Sequence, residues 1–576
     1  MLKKISIQIM MRIRERFQRL YGDRSEQCVE RLEMLVGRYG VGLDGNSYSA
    51  KLDETTVILI TYGDTVQKDE ERPLKTLKHF VDQHVRESIS AVHILPFYPF
   101  SSDDGFSVID YREVREDLGT WSDVSALGEN FTLMFDLVLN HTSRKSRWFR
   151  DYVSGIAPAR FYFEEADPSN DLSAVVRPRS SPLLTKTQTR LGERHVWTTF
   201  SSDQIDLDFS NPDVLFEFLD ILLYYVAHGV RIIRLDAVAF LWKKVGTSCL
   251  HLPETHEVVK LLRDFLEMVA PGVVLITETN VPHEENVSYF GSGDEAHMVY
   301  QFSLPPLLLY SLLRGNAETL IQWASALEDP PASCTYFNFC ASHDGIGVRP
   351  LQGLVADSEI DWLVDEVQAR GGRVSKKQNS DGSESPYELN ITYFDALSDP
   401  RADDPDAHVA RFLCSQSVLL TMRGVPGIYF HSLTATPNNL AEIQETGRAR
   451  TINRKKWNLE MLEALLADQS SQTHRVFQRY IHMLNCRRAH PAFHPVAEQS
   501  ILDLGPDVFA ILRNTPGGSQ RVLALHNFTA NRVEVGPIPG LNSGSAWDDL
   551  LDSGKAVDLS QKIELRPYKV KWLANS

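Results

Sequence analysis

The sequence predicts an α/β fold, a (β/α)₈ TIM barrel with inserted loop domains after strands 3 and 7 and a C-terminal antiparallel β domain. Eight short runs are apolar almost throughout, which is typical of parallel strands buried on both faces. Segments of helical character, such as 74–85, 213–227, 256–269 and 306–314, lie between them. The predicted strands are 56–62, 91–99, 131–141, 230–240, 273–280, 298–305, 334–344 and 424–430.

Two long insertions interrupt the predicted barrel. The first, 143–208, follows the third strand and is rich in Pro, Ser and Arg. The second, 346–405, follows the seventh strand and contains the turn-rich tract KKQNSDGSESPYELN (376–390), which predicts a mobile loop. Because the carboxyl ends of barrel strands carry the active site, we expect both insertions to contribute to function.

The two ends of the chain differ from the barrel. Residues 1–50 predict a helical extension, since apolar residues recur at helical spacing among Arg and Glu over 12–40. Residues 496–576 alternate in the manner of antiparallel strands. The alternating runs are 508–514, 521–528, 532–536 and 563–574. The barrel itself is then assigned to 51–142, 209–345 and 406–495.

Charge and composition restrict the partners of the chain. Its 576 residues carry a net charge of −17, which argues against nucleic acid. No apolar run approaches the roughly 18 residues of a membrane span. The N-terminal segment MLKKISIQIMMRIRERF has no small-residue cleavage site and predicts a helix start, with Met11 as an alternative initiator. Six cysteines without C-x-x-C spacing indicate reduced thiols and no zinc site. We therefore expect a cytoplasmic protein, monomeric or homodimeric, with no membrane partner.

Polar residues end four of the predicted strands, where core packing does not explain them. A charged side chain in an apolar strand is costly unless it is paired or faces a polar cavity. Such residues at one end of a barrel indicate a shared site. They are Asp136, Asn140, His141, Arg234, Asp236, Glu278, His343 and Asp344.

Carboxylates with arginine and histidine, but without metal-ligand spacing, favour glycosyl transfer. One carboxylate attacks the anomeric carbon, and a second protonates the leaving oxygen and later takes up a proton. Arg234 lies two residues before Asp236, on the same strand face, and can hold Asp236 ionised. Glu278 is then the acid, with a pKa raised in a poorly solvated site. Retention of configuration predicts carboxyl groups about 5–5.5 Å apart.

Four motifs resemble the α-amylase superfamily, glycoside hydrolase family thirteen. They are DLVLNH (136–141), RIIRLDAVAF (231–240), ITETN (276–280) and ASHDG (341–345), in the family order. The resemblance covers about residues 50–500. It implies Asp236 as nucleophile, Glu278 as acid/base and Asp344 as transition-state stabiliser, and it places His141, Arg234 and His343 in the glucose subsite.

Further segments resemble the sucrose phosphorylase branch of that family. They include ILPFYPF and DDGF (94–106), RPR (177–179), FSLPPLLL (302–309), SHDGIGV (342–348) and RTINR (450–454). The resemblance implies that Asp103 and Arg450, with Phe106 nearby, close a pocket around one terminal glucose. Arg448 remains an alternative to Arg450.

The same resemblance implies an acceptor and phosphate site containing Arg179, Tyr387 and Glu388. Sucrose-specific members carry D-L-Y-Q where this chain reads Ser385-Pro386-Tyr387-Glu388. This difference and the longer N-terminus look more like the glucosylglycerol and glucosylglycerate phosphorylases of the branch. Glu388 should disfavour a carboxylate acceptor unless Lys376, Lys377 or Arg179 offsets its charge, so the sequence favours 2-O-α-glucosylglycerol.

Alternative functions remain open at this point. They are a phosphorylase of sucrose or sucrose 6′-phosphate, an α-glucosidase or transglucosidase without phosphate specificity, and a non-catalytic carbohydrate-binding relative. We expect no cofactor, with inorganic phosphate as a co-substrate. Relatives often bind calcium through the residue matching Asn140, but no acidic ligand cluster accompanies it here, so we expect no required metal.

Overall fold

Eight parallel strands close a barrel, as predicted. The structure is a computed structural model that describes residues 2–39, 52–379, 383–538, 540–541, 547–552 and 555–575. The barrel closes because its first strand pairs in parallel with both the second and the eighth. The strands are β1 (Ile58–Thr61), β2 (Ala91–Ile94), β3 (Thr132–Val138), β4 (Val230–Asp236), β5 (Val274–Thr277), β6 (Met298–Tyr300), β7 (Thr335–Phe339) and β8 (Val425–Tyr429). Each of the eight predicted runs contains one of them.

Helices connect the barrel strands and cover their outer faces. Proline occupies the first turn of several of them, where its missing N–H costs nothing. The four predicted helical segments are confirmed. The helices are Pro73–His84, Trp121–Leu127, Pro212–Ala227, Pro253–Val269, His283–Val287, Leu304–Arg314, Glu318–Ser325, Pro405–Thr421, Leu459–Ala467 and Gln472–Arg488.

The insertion after β3 folds over the barrel end. It contains the helix Arg147–Ser154 and an antiparallel hairpin of Leu184–Thr189 with Gly192–Trp197. Its base is tied to the barrel because His141–Ser143 pairs antiparallel with Gln204–Asp206. This pairing brings Asp206 beside the end of β3.

The insertion after β7 corrects the predicted loop over 376–390. Arg373–Gln378 and Glu384–Asn390 form an antiparallel hairpin, and Ile346–Gly347 adds a third strand. The preceding helix is Asp357–Ala369. The tract is polar because one side of the hairpin faces solvent and the other faces a polar cavity. Residues 380–382 of the predicted loop lie outside the described residues.

The N-terminal helices Leu2–Tyr21 and Ser25–Tyr39 pack on the barrel's outer helices. Ile13 and Phe17 are fully buried there, and Phe17 stacks on Phe216. Arg16 Nε donates to Asp264 Oδ2 at 2.6 Å, so an ion pair fixes the first helix to the helix Pro253–Val269. Within the described residues, no helix is long and apolar enough to cross a membrane.

The C-terminal region contains the predicted antiparallel sheet, with one difference. The predicted run 563–574 is two strands, Ile563–Leu565 and Val570–Asn575, because the chain turns between them through Tyr568 at φ +54°. The strands of the larger sheet lie in the order Glu498–Asp503, Val508–Asn514, Arg521–Asn527, Val570–Asn575, Trp547–Asp549 and Ala556–Val557. A second, two-stranded sheet pairs Val533–Val535 with Ile563–Leu565.

Candidate active site

A cavity of about 110 Å³ opens at the carboxyl ends of the barrel strands. Eleven of the twelve predicted site residues line it, and the twelfth, Arg234, lies buried against the carboxylates of that lining. The eleven are Asp103, Phe106, His141, Arg179, Asp236, Glu278, His343, Asp344, Tyr387, Glu388 and Arg450. The structure therefore brings together the whole predicted set.

Arg234 links carboxylates at the ends of β3 and β4. The parallel register sets Asp136 opposite Arg234, and Arg234 Nη1 contacts Asp136 Oδ1. The same nitrogen donates to Asp236 Oδ1 at 2.6 Å. Asp136 is fully buried and also bonds His93 Nε2 at 2.7 Å. Arg234 is thus held rigidly beneath the cavity, with its positive charge directed at Asp236.

Glu278 follows β5 directly and approaches the same guanidinium less closely. Its Oε2 lies 3.8 Å from Arg234 Nη2 and accepts the Ala237 backbone N–H at 3.1 Å. Ala237 has φ +49°, an unfavourable conformation for a non-glycine residue, so the turn after Asp236 is held by its surroundings. Burial raises the pKa of Glu278, and it raises that of Asp236 well above its ordinary value against the opposing charge of Arg234.

Asp344 follows β7, lines the same cavity and is ionised. Arg450 Nη1 is 2.7 Å from Asp344 Oδ1, and His343 Nε2 is 3.4 Å from Oδ2. Burial alone would raise the pKa of Asp344, but the charge of Arg450 and its neighbours outweighs burial and lowers it. His343 stacks on Phe106 at 4.6 Å, and burial keeps its pKa well below the ordinary value. His343 is therefore neutral at pH 7.

His141 is also held in one orientation. Its Nε2 bonds the Phe106 carbonyl at 2.9 Å, and the neighbouring Asn140 amide lies 3.3 Å from Nδ1. A carbonyl accepts only from an N–H, which assigns the proton to Nε2. Burial lowers the pKa of His141. The neutral imidazole of His141 therefore lines the cavity.

Arg450, and not Arg448, lies in the cavity. Arg450 Nη1 is 3.7 Å from Asp103 Oδ1, whereas the Arg448 side chain is 57% exposed and approaches only Asp104, at 3.6 Å. The turn before Phe106 depends on Gly105, because a Cβ there would lie 2.5 Å from the Pro96 carbonyl oxygen. Asp103 and Arg450 therefore lie within ion-pair distance of each other in the cavity lining.

The charge of Glu388 is neutralised by two arginines. Arg450 Nη2 lies 2.6 Å from Glu388 Oε1 and its Nε lies 3.1 Å from Oε2, a bidentate pair. Arg179 Nη1 approaches the same carboxylate at 3.6 Å, and its guanidinium lies 5.1 Å from the centroid of the Tyr387 ring. The predicted acceptor residues therefore form one group.

Three further cations line the cavity: Arg177, Arg349 and Lys377. From the sequence, Lys377 is named only as a counter-charge that could offset Glu388, and Arg177 and Arg349 are assigned no role. Arg177 is the first arginine of the R-P-R motif, next to the predicted Arg179. Membership of that motif is the only feature of the sequence that could have identified Arg177 as a site residue. Arg349 carries no such signal, and the sequence does not separate Lys377 from Lys376, because both positions depend on the folding of the second insertion.

Asn140 does not fit a calcium site in this chain. Lys243 Nζ donates to Asn140 Oδ1 at 2.6 Å and lies 2.7 Å from Asp206 Oδ2, with its side chain 2% exposed. An ammonium group thus occupies the position that a cation bound by Asn140 would need. Across the described residues, no group of three or more His, Cys, Asp or Glu could hold a metal ion.

The sequence of this chain is similar to a known protein family and to individual proteins of known activity. Residues 87–344 match the model of the α-amylase catalytic domain. The chain is 46% identical over 531 residues to the glucosylglycerate phosphorylase of Spirochaeta thermophila, covering 91% of this chain and 90% of that protein. It is 30% identical to the glucosylglycerol phosphorylase of Marinobacter adhaerens, covering 76% and 88%.

Among solved structures, the sucrose 6F-phosphate phosphorylase of Thermoanaerobacter thermosaccharolyticum superposes with a TM-score of 0.72 at 27% identity, covering 84% of this chain and 95% of that one. The chain belongs to the α-amylase family. Within it, the enzyme is a glycoside phosphorylase, a glycosyl-transferring catalyst of the sucrose phosphorylase-like branch. The resemblance noted in the sequence is thereby confirmed.

Proposed function

We propose that the enzyme converts an α-glucoside of glycerate and inorganic phosphate into α-glucose 1-phosphate and free glycerate, with retention of configuration. One observation carries the proposal. The cavity that contains Asp236 and Glu278 is lined by five cations. Arg450 is paired with Asp344 and Glu388, and the other four are Arg177, Arg179, Arg349 and Lys377. Among the described residues, Arg177 and Lys377 have no carboxylate partner, so their positive charge is available to anionic reactants such as phosphate and a carboxylate.

In the first step, Glu278 gives its proton to the glycosidic oxygen while an Asp236 oxygen attacks the anomeric carbon. The bond from that carbon to the leaving oxygen breaks, free glycerate departs, and a β-glucosyl ester of Asp236 forms. The contacts of Arg234 support this assignment, because it donates to Asp236 at 2.6 Å and comes only within 3.8 Å of Glu278. The negative charge is therefore favoured on Asp236 and the proton on Glu278.

In the second step, a phosphate oxygen attacks the same carbon from the face that the leaving group vacated. The ester bond to Asp236 breaks, and the Glu278 carboxylate accepts the proton of the attacking phosphate. Two inversions return the α configuration. Arg179 and Tyr387 line the cavity beside Glu388 and are the residues proposed to hold the phosphate. Asp344 would bind the hydroxyl groups of the glucose ring.

Two observations favour glycerate over glycerol as the acceptor. The sequence argument for a neutral acceptor rested on the charge of Glu388, but Arg450 and Arg179 compensate that charge. In addition, the relative named for glucosylglycerate is 46% identical, whereas the one named for glucosylglycerol is 30% identical. Because Glu388 is paired with two arginines, it repels an acceptor carboxylate less than an unpaired Glu388 would.

The test is synthesis from α-glucose 1-phosphate with glycerate, glycerol, fructose and fructose 6-phosphate offered separately. We expect kcat/KM for glycerate to exceed that for each of the others by about ten-fold or more, since a charge-assisted contact contributes roughly 1.5–3 kcal/mol. In the reverse direction, consumption of the glucoside should require phosphate. A preference for another acceptor, rates unchanged without phosphate, or a β-glucose 1-phosphate product would each contradict the proposal.

A further inference from the structure

Two of the five cations that line the cavity have no acidic partner among the described residues. Arg177 forms no ion pair, and its Nη2 is enclosed without any hydrogen-bond partner. Lys377 also has no carboxylate within ion-pair distance. Both side chains are partly buried. Burial lowers the pKa of Arg177, and burial followed by the charge of Arg349 lowers that of Lys377. Enclosed, unpaired cations are unfavourable unless an anion comes to them.

The other cations at the cavity are already engaged. Arg179 approaches Glu388 and stacks on Tyr387, and Arg349 Nη2 lies 3.4 Å from Glu285 Oε2. Arg450 pairs with Asp344 and Glu388. In the part of the chain that the structure describes, the cavity cations left without a carboxylate partner are therefore Arg177 and Lys377.

The fold brings Arg177 and Lys377 to the cavity from different insertions. Arg177 belongs to the insertion after β3, where the preceding residue, Val176, donates its backbone N–H to the Ser248 carbonyl at 3.0 Å. Lys377 lies on the hairpin strand Arg373–Gln378. Successive side chains on a strand point to opposite faces. Accordingly, Lys377 lines the cavity, while Lys376 is 57% exposed and lies 3.6 Å from Glu384.

Among the described residues, no ion pair or side-chain hydrogen bond joins Arg177 or Lys377 to the group formed by Arg179, Tyr387 and Glu388. Within that group, Arg179 Nη1 lies 3.6 Å from Glu388 Oε1, and its guanidinium lies 5.1 Å from the centroid of the Tyr387 ring. Arg179 and Tyr387 are the residues proposed to hold the phosphate. Arg177 and Lys377 are therefore available to a second anion in the same cavity.

We propose that Arg177 and Lys377 bind the carboxylate of the acceptor and so select an organic acid over the matching neutral alcohol. This inference rests on the proposed function, because it requires an acid acceptor. Glycerate carries its carboxylate beyond the glycosidic oxygen, away from the glucose ring. Arg177 supplies planar donors and Lys377 a point charge, and the two can approach the carboxylate from different sides.

The experiment measures synthesis from α-glucose 1-phosphate by Arg177→Gln, Arg177→Lys and Lys377→Gln, with glycerate or glycerol as acceptor. Lys376→Gln is the matched control, because it removes a neighbouring lysine that has only an exposed ion pair. For the two Gln variants of cavity residues, we expect the KM for glycerate to rise about ten-fold or more. The KM values for glycerol and for α-glucose 1-phosphate should change by less than about two-fold, and Arg177→Lys should recover part of the loss.

Each outcome decides the matter. An unchanged KM for glycerate overturns the inference, as does an equal loss for glycerol, which would indicate a merely structural role. A parallel rise in the KM for α-glucose 1-phosphate also overturns it, since the two cations would then bind phosphate. If the unaltered enzyme prefers glycerol or fructose to glycerate, the proposed function itself fails, and that result is distinguishable because it needs no variant.

Discussion

Arg234 Nη1 donates to Asp236 Oδ1 at 2.6 Å, and both residues lie on β4. The two-residue spacing puts both side chains on one face of the strand, so the contact is local in sequence and rigid in structure. Asp136 contacts the same nitrogen from β3. Burial raises the pKa of Asp236, and the charge of Arg234 opposes that rise by favouring the ionised carboxylate.

Asp236→Asn should abolish turnover while leaving the fold intact. The amide has nearly the same shape but cannot attack the anomeric carbon, so kcat should fall by about four orders of magnitude or more. Steady-state rates and thermal unfolding measured on the same preparation test this. Since the substitution removes a buried negative charge beside Arg234, a modest shift in Tm is expected, with unfolding still cooperative. A variant with near-normal kcat would refute the nucleophile.

The rate of phosphorolysis should depend on pH through the Asp236–Glu278 pair. Turnover needs Glu278 protonated and Asp236 ionised. Burial raises the pKa of Glu278, so the acid form persists toward neutral pH and the rate falls as pH rises through that raised value. On the acid side, the rate falls as the pair takes up its second proton, because Asp236 is then no longer ionised. Both limbs of the pH profile report the joint titration of Asp236 and Glu278, and neither limb gives the pKa of one residue alone.

Glu278→Gln separates the acid role from the rest of the mechanism. We expect kcat for glucosylglycerate to fall by about 10²–10⁴-fold and the alkaline limb of the pH profile to disappear. With α-glucosyl fluoride, whose leaving group needs no proton, formation of the glucosyl-enzyme should be much less affected. Equal losses with both donors would argue against Glu278 as the acid.

Arg450 and Arg448 form a matched pair for testing the glucose clamp. Arg450 contacts Asp344 and Glu388 through different nitrogens, and a lysine cannot reproduce that fork. Arg450→Lys should therefore lower kcat/KM for the glucoside by about 10²-fold. Arg448→Lys alters an exposed ion pair and should change it by less than about two-fold. A larger loss in the Arg448 variant would reverse the assignment.

The barrel and its carboxylates could be predicted because their signals are local. Each buried strand is a short apolar run, and a polar residue at its end has no place in a core. Asp236 and Glu278 are recognised in this way without knowledge of any neighbour. The same reasoning found the helices, whose apolar spacing is also local.

The acceptor side could not be predicted in the same way, because its contacts join distant segments. From the sequence alone, the charge of Glu388 argues against an acid acceptor. The structure shows that Arg450, 62 residues later, pairs with Glu388. The hairpin that carries Lys377 has a polar sequence because it lies between solvent and a polar cavity. The prediction of a loop over 376–390, which rested on that polarity, was wrong there. Arg450 and Arg448 likewise differ only in their tertiary surroundings.

Lys243 supplies a last prediction, on metal dependence and stability. Its ammonium bonds Asn140 and Asp206 inside the protein, so we expect the enzyme to keep its full activity and Tm in EDTA. Lys243→Met should destabilise the fold by about 3–5 kcal/mol, because it leaves the buried Asp206 without its cation. Unfolding by denaturant measures this. Lys244→Met, at an exposed neighbouring position, is the control and should change the free energy of unfolding by less than about 0.5 kcal/mol. Activity lost to EDTA and restored by calcium would show that Lys243 does not take the place of a metal ion.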